Sequence, residues 1–151
     1  MVRAMALSNP ERGRAFRDAA RPILERELGV RLSQEVSLPV GRPPKDHKFD
    51  LVAEDKSWIL ECKNLAWREN GGVPQAKITS ITEAAAVLIQ CAHQACRRAL
   101  VLSRATHPKQ RESLAEYYIR LHAHNLAAAV GVAEINTASR SLRWLVQPRP
   151  V

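Results

Sequence analysis

HKFDLVAEDKSWILECKN, residues 47–64, contains two apolar runs whose charged residues lie mainly at their outer ends. Asp50 lies at the start of the first run, and Glu61 and Lys63 lie at the end of the second. The pair Asp55-Lys56 between the runs predicts a two-residue turn, which would join them as an antiparallel hairpin. A hairpin centred on this turn would place Asp50 directly across from Glu61.

Alternation along the two strands predicts one face with a charged rim and one face without charge. Asp50, Glu61 and Lys63 would share the first face, with the apolar Val52 and Ile59 further down. The uncharged face would carry Phe49, Leu51, Ala53, Trp58, Leu60 and Cys62. A simpler alternative is an edge hairpin with a surface ion pair, which would contribute only ~0–1 kcal/mol.

Two carboxylates about 5 Å apart repel each other and raise each other's pKa unless a cation lies between them. A hard divalent ion, Mg²⁺ or Mn²⁺, suits this position because it is held by one or two carboxylates together with waters and phosphate oxygens. A neighbouring lysine can orient or deprotonate a water, or neutralise charge that develops on a phosphate. The three residues therefore indicate phosphodiester hydrolysis.

The rest of the chain predicts a single domain over residues 1–151. The elements expected around the hairpin are a helix over 8–28 with a kink at Pro22, a strand over 30–38, a Pro-rich linker over 39–46, an Ala-rich helix over 78–95, a strand over 99–103, a helix over 109–125, and strands over 130–136 and 141–147. Their order, α-β-β-β-α-β-α-β-β, predicts an α/β fold with a mixed β-sheet flanked by helices.

Asp50, Glu61 and Lys63, with ten residues between the first two, resemble the motif of the PD-(D/E)xK nuclease superfamily, the fold of restriction endonucleases and archaeal Holliday junction resolvases. Phe49 occupies the position of the motif's Pro. The predicted elements over residues 10–103 also resemble the family's restriction endonuclease-like αβββαβ core, followed here by a further helix and two strands. The resemblance implies that Asp50, Glu61 and the backbone carbonyl of Cys62 bind Mg²⁺ and that Lys63 acts on the attacking water.

The resemblance also implies an acid from the first helix and a polar residue at the start of the helix after the motif. Glu27 is the expected acid, because it shares the apolar face of the first helix and could point toward the sheet. Asp18 lies on the opposite face. Gln75 is the expected polar residue, although an ordinary glutamine at a helix start would give the same pattern.

The charge balance favours a polyanionic partner. The chain has 23 Lys and Arg against 15 Asp and Glu, a net charge of +8 and a pI near 10.0. Such an excess is typical of nucleic-acid binding, although solvated Arg-rich faces would give the same composition; the choice of DNA follows from the resemblance. The sequence contains no long apolar run or secretory signal, and its three cysteines form no CxxC pair, so we expect no membrane association and a cytoplasmic location.

These features predict a metal-dependent endonuclease that hydrolyses phosphodiester bonds of DNA. Because no base-reading element is recognisable, we expect structure-selective or non-specific cleavage. Cleavage of both strands of a duplex favours a homodimer. The alternatives are a catalytically inactive nucleic-acid-binding module and a subunit whose interaction surface matters more than its chemistry; the apolar segment AAAVLIQCA, residues 84–92, could serve an interface or a core.

Overall fold

The computed structural model describes residues 6–91, 93 and 96–149, and within them six strands form one mixed sheet in the order β1-β2-β3-β4-β5-β6. The elements are α1 (Asn9–Leu28), β1 (Leu32–Val40), β2 (Lys45–Ala53), β3 (Trp58–Lys63), α2 (Gln75–Gln90), β4 (Arg97–Ser103), α3 (Leu114–His122), a 3-10 helix (Ala123–Asn125), β5 (Val130–Asn136) and β6 (Ser141–Val146). Strands β3, β4 and β5 run parallel, and the other neighbouring pairs run antiparallel. The predicted α/β class, mixed sheet and element order are confirmed.

Helix α1 begins and ends at the residues that the sequence indicates. The Ser8 side chain accepts a hydrogen bond from the Glu11 backbone N–H, and Gly29 adopts the left-handed conformation after the last turn with φ 65°. Glycine suits this position because it has no Cβ to clash. The element continues as one helix of 20 residues through Pro22.

The connection between β1 and β2 is shorter than predicted. The sequence predicts a linker over 39–46, but β1 continues to Val40 and β2 begins at Lys45. Pro39 pairs with Asp46 inside the ladder. An edge strand tolerates proline because the position that lacks an N–H can face away from the ladder. Only residues 41–44 therefore form the connection, although the predicted linker contains three prolines.

The β2–β3 hairpin has the predicted register. Leu51 pairs with Leu60 and Val52 with Ile59, as expected from a hairpin centred between Asp55 and Lys56. The connection comprises four residues, 54–57, instead of two. The Asp55 side chain accepts hydrogen bonds from the backbone and hydroxyl of Ser57, which closes the loop locally.

Helices cover both faces of the sheet. Helix α1 packs on one face against a cluster that includes Leu51, Leu60 and Val101, while α2 and α3 pack on the other. Phe49 was expected with Leu51 on the uncharged face, but it belongs to the cluster under α2 and α3. The alternation of β2 is therefore interrupted at Asp50, beside a β1 residue, Glu35, with φ 53°.

Two helices differ in length from their predictions. Helix α2 begins at Gln75 and ends at Gln90, so the predicted helix over 78–95 starts too late and extends too far; residues 92, 94 and 95 lie outside the described residues. Helix α3 begins only after Ser113, which caps it, whereas the prediction starts at 109. The first residues of that segment form a loop. None of the helices in the described ranges is long and apolar enough to cross a membrane.

Candidate active site

The hairpin brings Asp50, Glu61 and Lys63 into one pocket at the end of β3. Its volume is about 210 Å³, and its wall is completed by Cys62 and by residues of the first half of α1. Glu61 is 7% exposed, whereas Asp50 and Lys63 are half-buried. The structure thus assembles the motif residues that the sequence predicted to lie together.

Side-chain hydrogen bonds hold the two carboxylates where the β2–β3 ladder ends. The Asp50 backbone N–H donates to Glu61 Oε1 at 3.1 Å, and the Cys62 backbone N–H donates to Asp50 Oδ2 at 2.8 Å. Each carboxylate therefore accepts a backbone donor of the opposite strand. Among the described residues, Asp50 Oδ1 and Glu61 Oε2 have no hydrogen-bond donor, and both oxygens remain available to a ligand.

Burial makes Glu61 difficult to ionise. Its pKa is raised to about 8 from 4.5, chiefly because the carboxyl group is removed from water and secondly because of the negative charge of Asp50. The hydrogen bond from the Asp50 backbone and the positive charge of Lys63 act in the opposite direction but are weaker. A cation bound beside Glu61 would favour its charged form.

Helix α1 contributes arginines to the pocket instead of an acid. Arg14 and Arg17 line it, and Arg17 is buried, with its guanidinium 3.3 Å from Asp18 and 3.6 Å from Glu35. These two arginines were missed because sequence reasoning searched this helix only for acids. Their spacing of three residues, which places them on one side of a helix, was the available signal.

Glu27 does not reach the pocket, so its predicted place in the site is wrong. It is exposed near the far end of α1 and lies 3.4 Å from the Arg26 guanidinium. Ten residues separate it from Arg17, which corresponds to about 15 Å along a helix. Sharing the apolar side of a long helix therefore did not place Glu27 near the motif.

Gln75 also lies outside the pocket lining. It is the exposed first residue of α2. Lys77, in the same first turn, instead interacts with the site: its pKa is lowered by partial burial and by the positive charges of Lys63 and Arg12. The start of α2 thus supplies a cation near the motif lysine, where a glutamine was predicted.

His47 is a further neighbour that the sequence reasoning did not identify. Its Nε2 lies 3.6 Å from Glu61 Oε1, is shielded from solvent and has no hydrogen-bond partner among the described residues. The imidazole ring packs edge-on against Phe49 at 4.7 Å. His47 therefore contacts both Phe49, on the α2 face, and the buried carboxylate of Glu61.

Cys62 is excluded as a nucleophile by its surroundings. Its side chain belongs to the apolar cluster under α1. Burial, followed by the negative charges of Asp50 and Glu61, raises the pKa of the thiol well above its ordinary value. Because the thiolate is the reactive form, this cysteine is inert at neutral pH.

The donor set fits a hard divalent cation with few protein ligands. No cluster of three or more His, Cys, Asp or Glu side chains suited to a metal occurs in the described part of the chain. Asp50 and Glu61 provide two carboxylates, which is the number with which proteins commonly hold Mg²⁺ when waters and substrate phosphates complete its coordination.

Comparison with known proteins assigns no family to this chain. No family model and no curated protein matches the sequence. Among solved structures, SfsA of Pyrococcus furiosus in complex with Ca²⁺ is similar, with a TM-score of 0.40 and 15% sequence identity. The match covers 92% of this chain but only 63% of SfsA, so the chain spans less than two thirds of that protein. At this level of similarity, the likeness transfers no activity or ligand to this protein.

Proposed function

We propose that this protein is a metal-dependent endonuclease that hydrolyses phosphodiester bonds of DNA. The observation that carries the proposal is the pocket that combines two carboxylates with a lysine and two arginines. The carboxylates suit a divalent cation, and the basic side chains suit a phosphate. A binding surface for phosphate alone would not require the buried Glu61.

Asp50 and Glu61 would hold Mg²⁺ or Mn²⁺ through the oxygens that the backbone does not occupy, with the Cys62 carbonyl as a further ligand. A bound ion of this kind would lower the pKa of a ligated water and polarise the phosphate. The high pKa of Glu61 supports this role, because a buried carboxyl group beside a second carboxylate favours either a proton or a cation.

Lys63 would orient the attacking water or neutralise charge that develops on the phosphate. In the described residues, no carboxylate lies within 4.0 Å of its ammonium group, so an ion pair does not occupy it. The negative charges of Asp50 and Glu61 act from a greater distance. Lys63 therefore remains available to a substrate in the same pocket.

Arg14 and Arg17 would bind the substrate phosphate from the α1 side. Arginine suits this role because its planar guanidinium donates two parallel hydrogen bonds to phosphate oxygens. Arg17 is held in place by Asp18 and Glu35, and Arg14 is exposed and free to adjust. Together with Lys63, these arginines give the pocket lining more cations than carboxylates.

Cleavage is expected to depend on nucleic-acid structure more than on sequence, because phosphate contacts carry no base information. The preference for DNA rests on the resemblance to PD-(D/E)xK nucleases alone. A homodimer would supply the second active site that a double-strand break needs.

A catalytically inactive nucleic-acid-binding module is the second candidate. The observation that favours it is the pair of arginines on α1, where the resemblance implies an additional acid. A site with only two carboxylates and a net positive lining could retain a phosphate without hydrolysing it.

Cleavage assays with a matched lysine control separate the two candidates. Supercoiled plasmid, linear duplex, single strand, flap and four-way junction DNA would be incubated with Mg²⁺, Mn²⁺ or a chelator. Lys63→Met should abolish metal-dependent cleavage, whereas Lys45→Met, which changes an exposed lysine at the start of β2, should cleave like the wild type. Salt-dependent binding by the wild type without cleavage under any condition would instead support the binding module.

A further inference from the structure

A second pocket lies beside the candidate active site, on the opposite side of α1. Its volume is about 340 Å³, which is within the usual range of ligand pockets, about 300–1,000 Å³. Residues 10, 13, 14 and 17 of α1 line the active-site pocket, and residues 12, 15, 16 and 19 line the second. At 3.6 residues per turn, these two sets point to opposite sides of the helix.

Consecutive residues of β3 and its following loop line the two pockets. Cys62 and Lys63 line the first pocket, and Asn64 and Leu65 line the second. Consecutive Cα atoms are about 3.8 Å apart, and a helix with its side chains is about 10–12 Å wide. One extended ligand can therefore contact both pockets.

The lining of the second pocket is basic and contains no carboxylate. Arg12 and Arg104 provide positive charge, and the Arg104 side chain has no hydrogen bond or ion pair with any described residue. Such a lining attracts an anion and has no counter-charge of its own to repel it.

Amide groups in this pocket offer the donors and acceptors that a nucleobase edge requires. The Asn64 side chain makes no hydrogen bond to the described part of the protein, so both of its amide atoms are available. Asn136 Oδ1 accepts from the backbone of Ala138 and Ser139, which leaves its NH₂ group as a donor. An asparagine amide can donate and accept side by side.

Apolar side chains complete the pocket. Phe16 and Ile135 are buried and contribute to its wall, and Ala15 and Ala19 leave space at the surface of α1. An apolar wall next to polar groups suits a flat heterocycle that is bound both by its face and by its edge. Cations, free amides and an apolar wall together match a nucleotide.

We propose that this second pocket binds an unpaired nucleotide next to the phosphate in the candidate active site. The inference rests on the proposed function and deepens it, because it assigns a substrate class: strands whose bases are not paired. A base within a duplex is stacked and paired and enters such a pocket only after it is flipped out, which costs free energy. Single strands, flaps and junctions with unpaired bases are therefore preferred over intact duplex.

The test fills the pocket without changing a motif residue. Ala15→Leu adds bulk at an exposed alanine of the lining, and Ala128→Leu adds the same bulk at an exposed alanine beside a different pocket. Binding of fluorescein-labelled single-stranded and duplex oligonucleotides is measured by anisotropy in chelator. Ala15→Leu should weaken single-strand binding about tenfold, with duplex binding changed less than twofold, and Ala128→Leu should change neither.

Arg104→Gln and an abasic scan provide independent measurements. Arg104→Gln should also weaken single-strand binding selectively, so the proposal does not depend on the folding of one variant. An oligonucleotide with one abasic nucleotide should lose affinity for the wild type when the gap falls in the pocket, and Ala15→Leu should be insensitive to it. Equal losses for single strand and duplex, or no loss in either variant, would overturn the proposal.

The binding assays test the second pocket, and the cleavage assays test the proposed function, so either proposal can fail without the other. Because binding is measured in chelator, a protein that binds unpaired strands selectively but never cleaves them retains this pocket and loses the proposed function. A protein that cleaves all substrates equally, with no effect of Ala15→Leu on binding, retains the function and loses the pocket.

Discussion

Replacing Glu61 by glutamine should change how the stability of this protein depends on pH. In the folded state the pKa of Glu61 is about 8, against 4.5 in the unfolded chain. Between these values the folded protein holds a proton that the unfolded chain releases. The free energy of unfolding must therefore fall as pH rises through this interval. Below about pH 4, Glu61 is protonated in both states and adds no pH dependence.

The size of this change in stability follows from the difference between the folded and unfolded pKa values of Glu61. At about 1.4 kcal/mol per pH unit, ionisation of Glu61 should lower the free energy of unfolding by about 3 kcal/mol between pH 5 and pH 8. Glu61→Gln removes the titrating group, while its amide oxygen can still accept from the Asp50 backbone. The variant should lose most of this pH dependence and be more stable than the wild type at pH 8.

Urea denaturation in chelator at pH 5, 6, 7 and 8 measures this difference. Glu54→Gln, which changes an exposed glutamate in the hairpin loop, is the control and should follow the wild type. Parallel pH profiles for Glu61→Gln and the wild type would contradict this prediction, because they would mean that burial does not raise the pKa of Glu61. Under the proposed function, Mg²⁺ should raise the stability of the wild type at pH 8 and leave the stability of Glu61→Gln unchanged.

Two other changes test the phosphate contacts and the buried polar network. Arg14→Gln should reduce the slope of log affinity against log salt for DNA by about 0.7–0.9, as measured by anisotropy in chelator. Arg31→Gln, at the opposite end of the hairpin, is the control and should leave the slope unchanged. An unaltered slope in both variants would remove Arg14 from the DNA interface. Ser113→Ala removes the cap of α3 and a hydrogen bond to the buried Glu134. It should lower the free energy of unfolding, measured by urea denaturation, by about 2–3 kcal/mol. A loss below about 0.5 kcal/mol would show that neither hydrogen bond is important.

The hairpin could be predicted from the sequence because its information is local. Alternation of apolar residues and the turn at Asp55 and Lys56 define the register, and the register alone places Asp50 near Glu61. The change of face at Phe49 could not be predicted, because it depends on the neighbouring strand, where Glu35 has φ 53°. The same limit applies to Pro39, because the sequence around it is typical of a linker although the residue lies on an edge strand.

Periodicity, turns and caps indicate the α/β class, the order of the elements and the pairing of the two motif strands, because these features are local. Packing of the elements against one another determines what surrounds the motif. It excluded Glu27, placed Arg14 and Arg17 on the pocket wall, and brought His47 close to Glu61. The depth and rotation at which a helix packs on a sheet depend on contacts distant in sequence, so no local pattern predicts them.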